Sequence, residues 1–376
     1  MAVAQGYGKT VTSGSVFAYD VADTRNSYRG EPTTNLNPYT LSDSGTDGSG
    51  QGTVGTRTIL SSNHVSINDV NANTRQTHLI SGLTGGATYT VSIEFKKISG
   101  TPTFRFQLQN YLNGAFNGTI KFTDTAEIGI EDKEGWQLAS WTFTLGVGMN
   151  GLRIWYQDGA DYTTYTHAFE LRNPQLEQKS HATPYTPPGT TRSATQGLLP
   201  LVGNSTIDLT NVSFDSNAQM TFDGTDDLID ITTNFGTLSA YTFEYVAYAN
   251  STHNMPIASR TNTNFYKYGA YSWRYTHGGV GGEFYHTAGN GTGWAHWAIT
   301  YDGSTISVWE NGVSKGTSSS SGTADFSGGI RIGSWASSAA YTWDGTIPIM
   351  KMYNRALSAG EVRQNYLHYK TRFNLS

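Results

Sequence analysis

The stretch Trp297-Ala-Ile-Thr-Tyr-Asp-Gly-Ser-Thr-Ile-Ser-Val-Trp-Glu-Asn-Gly312 decides the fold. A period of two runs from Trp297 to Tyr301 and again from Thr305 to Trp309. That period belongs to a strand with one buried face. Asp302-Gly303 and Asn311-Gly312 flank the second strand. Both are hairpin signals, because Asn, Asp and above all Gly enter the left-handed region at least cost. The same alternation recurs in Thr88–Phe95, Phe104–Leu108, Trp141–Leu145, Leu152–Tyr156 and Ala168–Leu171. It continues in Gln219–Phe222, Tyr241–Val246, Ile330–Ile332 and Ile347–Tyr353. Short strands separated by Gly, Asn and Asp turns at this spacing describe β-sandwiches.

Composition narrows the class from another side. At roughly 150 residues per domain, 376 residues predict two or three domains. Charged residues are 14% of the chain, well below the ~25% of ordinary globular proteins. Aromatics reach 13%, with 23 Tyr and 9 Trp, which argues against disorder. Lys+Arg 24 against Asp+Glu 29 leaves −5, no footprint for nucleic acid. Ala/Glu/Lys/Leu-rich stretches are nearly absent, which argues against a helical bundle. The absence of cysteine excludes disulfide frameworks, cysteine metal sites and thiol nucleophiles. Met1–Lys9 has no apolar signal region. No apolar run approaches the ~18 residues of a membrane helix, so a soluble protein made in a cytoplasm is expected.

One helix is predicted near the C-terminus, over Glu361–Tyr369, behind the capping box Ser358-Ala-Gly-Glu361. Thr183-Pro-Tyr-Thr-Pro-Pro-Gly189 marks a boundary, since three prolines cannot sit in a central strand. Glu31–Pro38 is a second break, and Leu41–Thr58 reads as a long polar loop. The division expected is 1–34, 35–187 and 188–376.

From about residue 200 onward the chain resembles the laminin-G-like, concanavalin-A-like jelly-roll family. The motifs are Phe222-Asp-Gly-Thr-Asp-Asp-Leu228, the hairpin 297–312, Ile332-Gly-Ser334, Trp343-Asp-Gly345 and Met352–Val362. Pro348 departs from the family pattern. Gly14-Ser-Val-Phe-Ala-Tyr-Asp20 resembles the opening strand of that family as found in tailed-bacteriophage virion proteins. The resemblance implies a discontinuous jelly roll in which 10–33 completes the sheet of 190–376 and the middle segment is an insertion; serial domains are the alternative. The middle segment resembles carbohydrate-binding-module-like β-sandwiches of phage head and tail proteins. Its marks are Ser81–Val91 and the close Phe169–Glu177 followed by His181-Ala-Thr-Pro-Tyr185.

Catalytic and binding chemistry needs a constellation of side chains rather than a single residue. A glycosidase on such a sandwich needs two carboxylates across a sheet. Glu131-Asp-Lys-Glu134 reads as a charged turn, and Glu94, Glu170 and Glu244 stand singly on strands, expected to face solvent. His277, His286 and His296 form no metal-binding unit, and Gly278-Gly-Val-Gly-Gly282 is expected to be a tight bend or loop. Asp223, Asp226 and Asp227 make an acidic turn, with Asp344 before a strand; hydrogen bonds capping the turn are expected there, and no metal or cofactor. Sugar binding needs exposed rings beside polar groups. The candidate glycan contacts are Trp155, Tyr156 and Tyr162 in the middle segment, and Tyr268, Trp273 and Tyr275 in the jelly roll. Core or subunit-interface packing is the competing role for each.

These expectations combine into an all-β protein of two jelly-roll sandwiches with a short C-terminal helix. The function expected is that of a non-enzymatic virion structural protein of a tailed phage, as capsid decoration, head fibre or tail-fibre component. It would be assembled in the host bacterial cytoplasm. Other virion proteins would be its partners, with host surface glycans a further ligand, neither nucleic acid nor membrane involved, and a homo-oligomer, a trimer by preference. A stand-alone lectin, and after it a glycoside hydrolase, are the alternatives.

Overall fold

A computed structural model describes residues 9–43, 56–72, 75–101, 103–158, 165–251, 253–261, 263–268, 272–285, 292–334 and 342–376. The chain divides into two compact units, and all sheet pairings are antiparallel.

The first unit combines Met1–Pro32, Ser193–Asp215 and Gln219–Ser376. Its eight-stranded sheet runs in the order Ser213–Phe214, Met220–Asp223, Asp344–Tyr353, Tyr241–Ala249, Gly293–Tyr301, Thr305–Glu310 and Val313–Ser319, with Ser15–Asp20 also paired to Asp344–Tyr353. A seven-stranded sheet runs Ile207–Asn211, Leu228–Ile231, Ile330–Ile332, His253–Ser259, Asn264–Tyr268, Ser272–His277 and Val280–Tyr285. Alternation sends Phe17, Tyr19, Phe243, Tyr245, Ile299 and Ile332 into one apolar core. The 305–319 hairpin turns at Asn311 (φ 50°) and Gly312 (φ 75°), both left-handed as a two-residue turn of the primed type demands. Pro348 lies beside a register shift between Val246 and Tyr248. A bulge is where a buried strand tolerates a residue lacking N–H.

The helix Ala359–Phe373 packs Tyr366 and Tyr369 onto Val246 and Ile349, on the sheet face opposite the core. Ser358 and Glu361 form the reciprocal cap. The side-chain hydrogen bond from Arg355, with the Ser358 backbone N–H, lowers the Glu361 carboxyl to about 2. Glu244, expected on a solvated face, is instead 0% exposed beneath this helix. Its carboxylate meets His296 Nε2 at 2.8 Å, the Tyr353 hydroxyl at 2.9 Å and Asn365 Nδ2 at 2.9 Å. Asn365 Oδ1 in turn accepts from Val11 N at 2.7 Å.

The second unit is Thr33–Arg192 with Ser216–Ala218. A five-stranded sheet runs Thr56–Ser61, His64–Ala72, Tyr165–Glu177, Thr88–Ser99, Trp136–Thr144. A four-stranded sheet runs Arg75–Ser81, Gly151–Asp158, Phe104–Leu112, Ala115–Phe122. Val91, Ile93, Phe95, Phe104, Phe106, Ile154 and Phe169 pack between them. The closing segment is tied by the buried Glu177, which accepts from Thr183 N (2.9 Å) and Thr33 Oγ1 (2.7 Å). Thr33–Thr34 pairs with Thr191–Arg192, so the segments entering and leaving this unit lie side by side.

Removing the Glu244 carboxylate takes a buried charged acceptor from His296 Nε2, the Tyr353 hydroxyl and Asn365 Nδ2, of which the hydroxyl keeps Val11 O at 3.1 Å and Asn365 Nδ2 keeps the Tyr353 hydroxyl at 3.3 Å. Glu244→Ala is therefore expected to cost about 3–5 kcal/mol, read as a lower urea midpoint with an unchanged slope. Burial alone would raise the Glu244 carboxyl, but His296, Lys351 and Tyr353 outweigh it and hold the group below its ordinary value. The stability it contributes is thus present above the unfolded value of ~4.3 and lost as pH falls further. Glu244→Gln should flatten that acid limb; an unchanged limb would assign it to other carboxylates.

Candidate functional site

In the second unit, the core-facing residues Val91, Ile93, Phe95, Phe169 and Leu171 leave the intervening positions on the outer face of the five-stranded sheet. Those positions hold Glu94, Lys96, Glu170 and Arg172, with Leu138 opposite Glu94, Trp136 opposite Lys96 and His64 opposite Arg172. The Trp136 indole reaches inward from the edge strand. Its ring centroid is 3.9 Å from the Arg172 guanidinium carbon, 5.7 Å from Lys96 Nζ and 5.4 Å from the His64 ring. Even so, Trp136 remains partly exposed.

Each ionic group around the indole is held in place. Arg172 Nε donates to Glu94 Oε2 at 2.6 Å, and Asn173 Nδ2 donates to Glu94 Oε1 at 2.8 Å. Asn173 sits at φ 58°, where a register shift after Arg172 interrupts pairing with Thr88–Ser99. Bulges of this kind re-aim side chains, and here Arg172 and Asn173 bracket one carboxylate from two sides. Glu170 lies 3.0 Å from His64 Nε2 and 3.4 Å from Lys96 Nζ. Two cations balance two carboxylates, so the patch offers oriented donors and acceptors without a dominant charge. Glu94 and Glu170, singly placed in the sequence, share this face through Arg172 and Lys96 of adjacent strands. The signal for Trp136 was present: the alternation of Trp141 and Phe143, carried back along Trp136–Thr144, sends even-numbered positions outward.

Three of the six aromatic candidates, Trp155, Tyr156 and Tyr275, are buried. Trp155 lies on the outer face of the four-stranded sheet, opposite Gln107, but is only 5% exposed. Its Nε1 donates to Gln109 Oε1 at 3.2 Å, and its ring packs 5.7 Å from the Arg153 guanidinium. Tyr156, the next residue, points into the core and is 1% exposed. Tyr275 is 7% exposed, stacks on Phe265 and shares a 2.8 Å hydrogen bond with Ser318. Buried rings have no face for a sugar. Tyr275 also explains part of the glycine cluster, since a Cβ at Gly282 would come within 2.5 Å of its ring. Tyr162 and the side chains of Tyr268 and Trp273 lie outside the described residues.

The histidines and the acidic turn have local partners. His277 Nδ1 meets the Tyr241 hydroxyl at 2.9 Å, while His286 lies outside the described residues. Asp223, Asp226 and Asp227 bring carboxylate oxygens within 4.8 Å of one another. Asp227 accepts from Asp223 N (2.7 Å) and Ser213 Oγ (3.1 Å), and Asp223 accepts from Thr225 N (2.7 Å), the hydrogen bonds of a capped turn.

Residues 223–363 match the Concanavalin A-like lectin/glucanases superfamily. They lie within the first unit, whose fold is a concanavalin A-like jelly roll. No curated protein matches the chain in sequence. Among solved structures, the binding domain of Botulinum neurotoxin DC in complex with SialylT is similar at 12% identity and TM-score 0.36, over 46% of this chain and 49% of that one. Domain 4 of AbnA, a GH43 extracellular arabinanase from Geobacillus stearothermophilus in complex with arabinotriose, is similar at 14% identity and TM-score 0.34, over 44% and 88%. Trypanosoma rangeli sialidase is similar at 16% identity and TM-score 0.34, over 44% and 29%. The chain spans about half the length of the neurotoxin binding domains. Likeness of this degree says nothing of what the chain binds.

The Tyr156 hydroxyl is buried and has no hydrogen-bond partner among the described residues. Tyr156→Phe is therefore expected to leave stability unchanged or raise it by up to about 1 kcal/mol, measured by chemical denaturation, with no effect on any ligand. A loss above that size would reveal a partner for the hydroxyl.

Proposed function

We propose that the chain is a non-enzymatic carbohydrate-binding protein of a tailed-bacteriophage particle, docked on capsid or tail and presenting its sandwiches to host surface glycans. The Trp136 patch carries the glycan reading. An indole supported by a guanidinium keeps a second face for the C–H side of a pyranose. Glu94, Asn173, Glu170 and Lys96 stand around it as pre-oriented partners for hydroxyls. Both carboxylates are engaged by cations, Arg172 and Lys96, which suits holding hydroxyls better than transferring protons. The virion reading is supported by the sequence resemblance of Gly14–Asp20 and of the close Phe169–Tyr185 to phage particle proteins.

Trp136→Ala should weaken binding on an oligosaccharide array by about tenfold or more, the ~1.4 kcal/mol scale of one lost stacking contact. Circular dichroism and the denaturation midpoint should stay near the parent values. Unchanged array binding would move the site elsewhere. Release of reducing ends from a bound polysaccharide would overturn the non-enzymatic reading and favour Glu94 and Glu170 as a hydrolytic pair. Mass spectrometry of purified particles should find the chain at stoichiometric copy number; its absence would remove the virion role.

A further inference from the structure

Asn-Gly occurs at 113–114, 117–118, 150–151, 290–291 and 311–312. Such a pair carries its own chemistry. The amide nitrogen after an asparagine can attack the side-chain carbonyl, and a glycine there, having no Cβ, leaves the approach open. In a folded chain the outcome depends on how firmly the carboxamide and the following N–H are held. The pair 290–291 lies outside the described residues.

The pairs at 113, 150 and 311 are held by hydrogen bonds. Asn150 Nδ2 donates to Asn113 Oδ1 at 2.8 Å, and Asn113 N donates to Asn150 Oδ1 at 2.8 Å, so these two asparagines fix each other. Gly151 is also enclosed. It lies in register between Ser81 and Tyr111, and a Cβ there would stand 3.1 Å from the Tyr111 Cβ. Asn311 Oδ1 accepts from His296 N at 2.9 Å, while its Nδ2 donates to Ser376 Oγ at 3.1 Å.

Asn117-Gly118 differs in each respect. It lies on Ala115–Phe122, a strand at the edge of its sheet. Thr119 stands opposite Gln109 and Phe116 opposite Tyr111, so Asn117 and Gly118 both fall against the single residue Asn110. That is a bulge, where the ladder is interrupted. Gly118 takes φ 94° there, and a Cβ on it would meet nothing within 4 Å. Both residues are exposed, and the Asn117 carboxamide has no hydrogen bond among the described residues.

We infer that Asn117 is a modification site, at which the folded chain deamidates itself through Gly118. The Gly118 nitrogen, its proton taken by hydroxide, bonds to Asn117 Cγ; the Cγ–Nδ2 bond breaks and ammonia leaves. Water then adds to one carbonyl of the resulting succinimide. The ring opens to aspartate or, with the main chain lengthened by one carbon, to isoaspartate. One carboxamide and one water thus become one carboxylate and one ammonium. The product places a negative charge between Phe116 and Phe122, which are 57% and 44% exposed, on an edge where charge opposes pairing with another strand. None of this involves the Trp136 patch.

The test incubates the full chain in mildly alkaline buffer made with H₂¹⁸O, once folded and once in urea. Chymotryptic mapping with tandem mass spectrometry follows ¹⁸O entry at each asparagine, cleavage at Phe116 separating Asn113 from Asn117. In the folded chain Asn117 is expected to label at least about tenfold faster than Asn113, Asn150 or Asn311. In urea all of them should label at similar rates. Asn150→Ala, which removes both hydrogen bonds that hold Asn113, should raise the Asn113 rate with circular dichroism unchanged. Labelling of Asn113, Asn150 or Asn311 in the folded chain as fast as Asn117 would overturn the inference. So would an Asn117 that labels in urea but not when folded, or an Asn113 rate indifferent to Asn150→Ala.

Discussion

The first unit turns on one buried carboxylate. Glu244 has no exposed surface, and its oxygens are met by groups from the two strands that flank its own (His296 and Tyr353) and from the C-terminal helix (Asn365). A charge in an apolar interior is tolerable only with such partners. Satisfying this one fixes where the helix lies. Through Asn365 and Tyr353 it also reaches the N-terminal segment at Val11, at 2.7 Å and 3.1 Å. What the helix covers follows from that anchorage.

The second unit manages its charge differently. Its sheet-face ions remain partly exposed and balance in pairs, Glu94 with Arg172 and Glu170 with Lys96. Pairs in that setting contribute little stability. Their structural effect is geometric, because they hold directional groups still around the Trp136 indole.

Much of the fold was legible because alternation and turn chemistry are local. Phe243 and Tyr245, Ile299 and Tyr301, and Ile330 and Ile332 all face the core as the period of two requires. The Asn311-Gly312 turn and the Ser358 cap are likewise set by neighbours in sequence. The candidate site was less legible. Trp155 does point outward and Tyr156 inward, yet outward on a strand did not mean exposed, because Arg153, Gln109 and Tyr111 crowd the same face. Glu244 alternates outward from the core as expected, but a helix more than a hundred residues later covers it.

The sequence by itself determined the elements: short strands with one apolar face, left-handed turns at Asn-Gly, and one capped helix. These depend on neighbours a few residues apart, whose sterics and hydrogen bonds are set by the local chain. Only the tertiary structure decided which outward side chains share a surface. Ser15–Asp20 pairs with a strand more than three hundred residues away, and Glu94 and Glu170 meet around Trp136 through register alone. Register between distant strands is the summed outcome of packing both sheet faces at once, and no short stretch of sequence contains it.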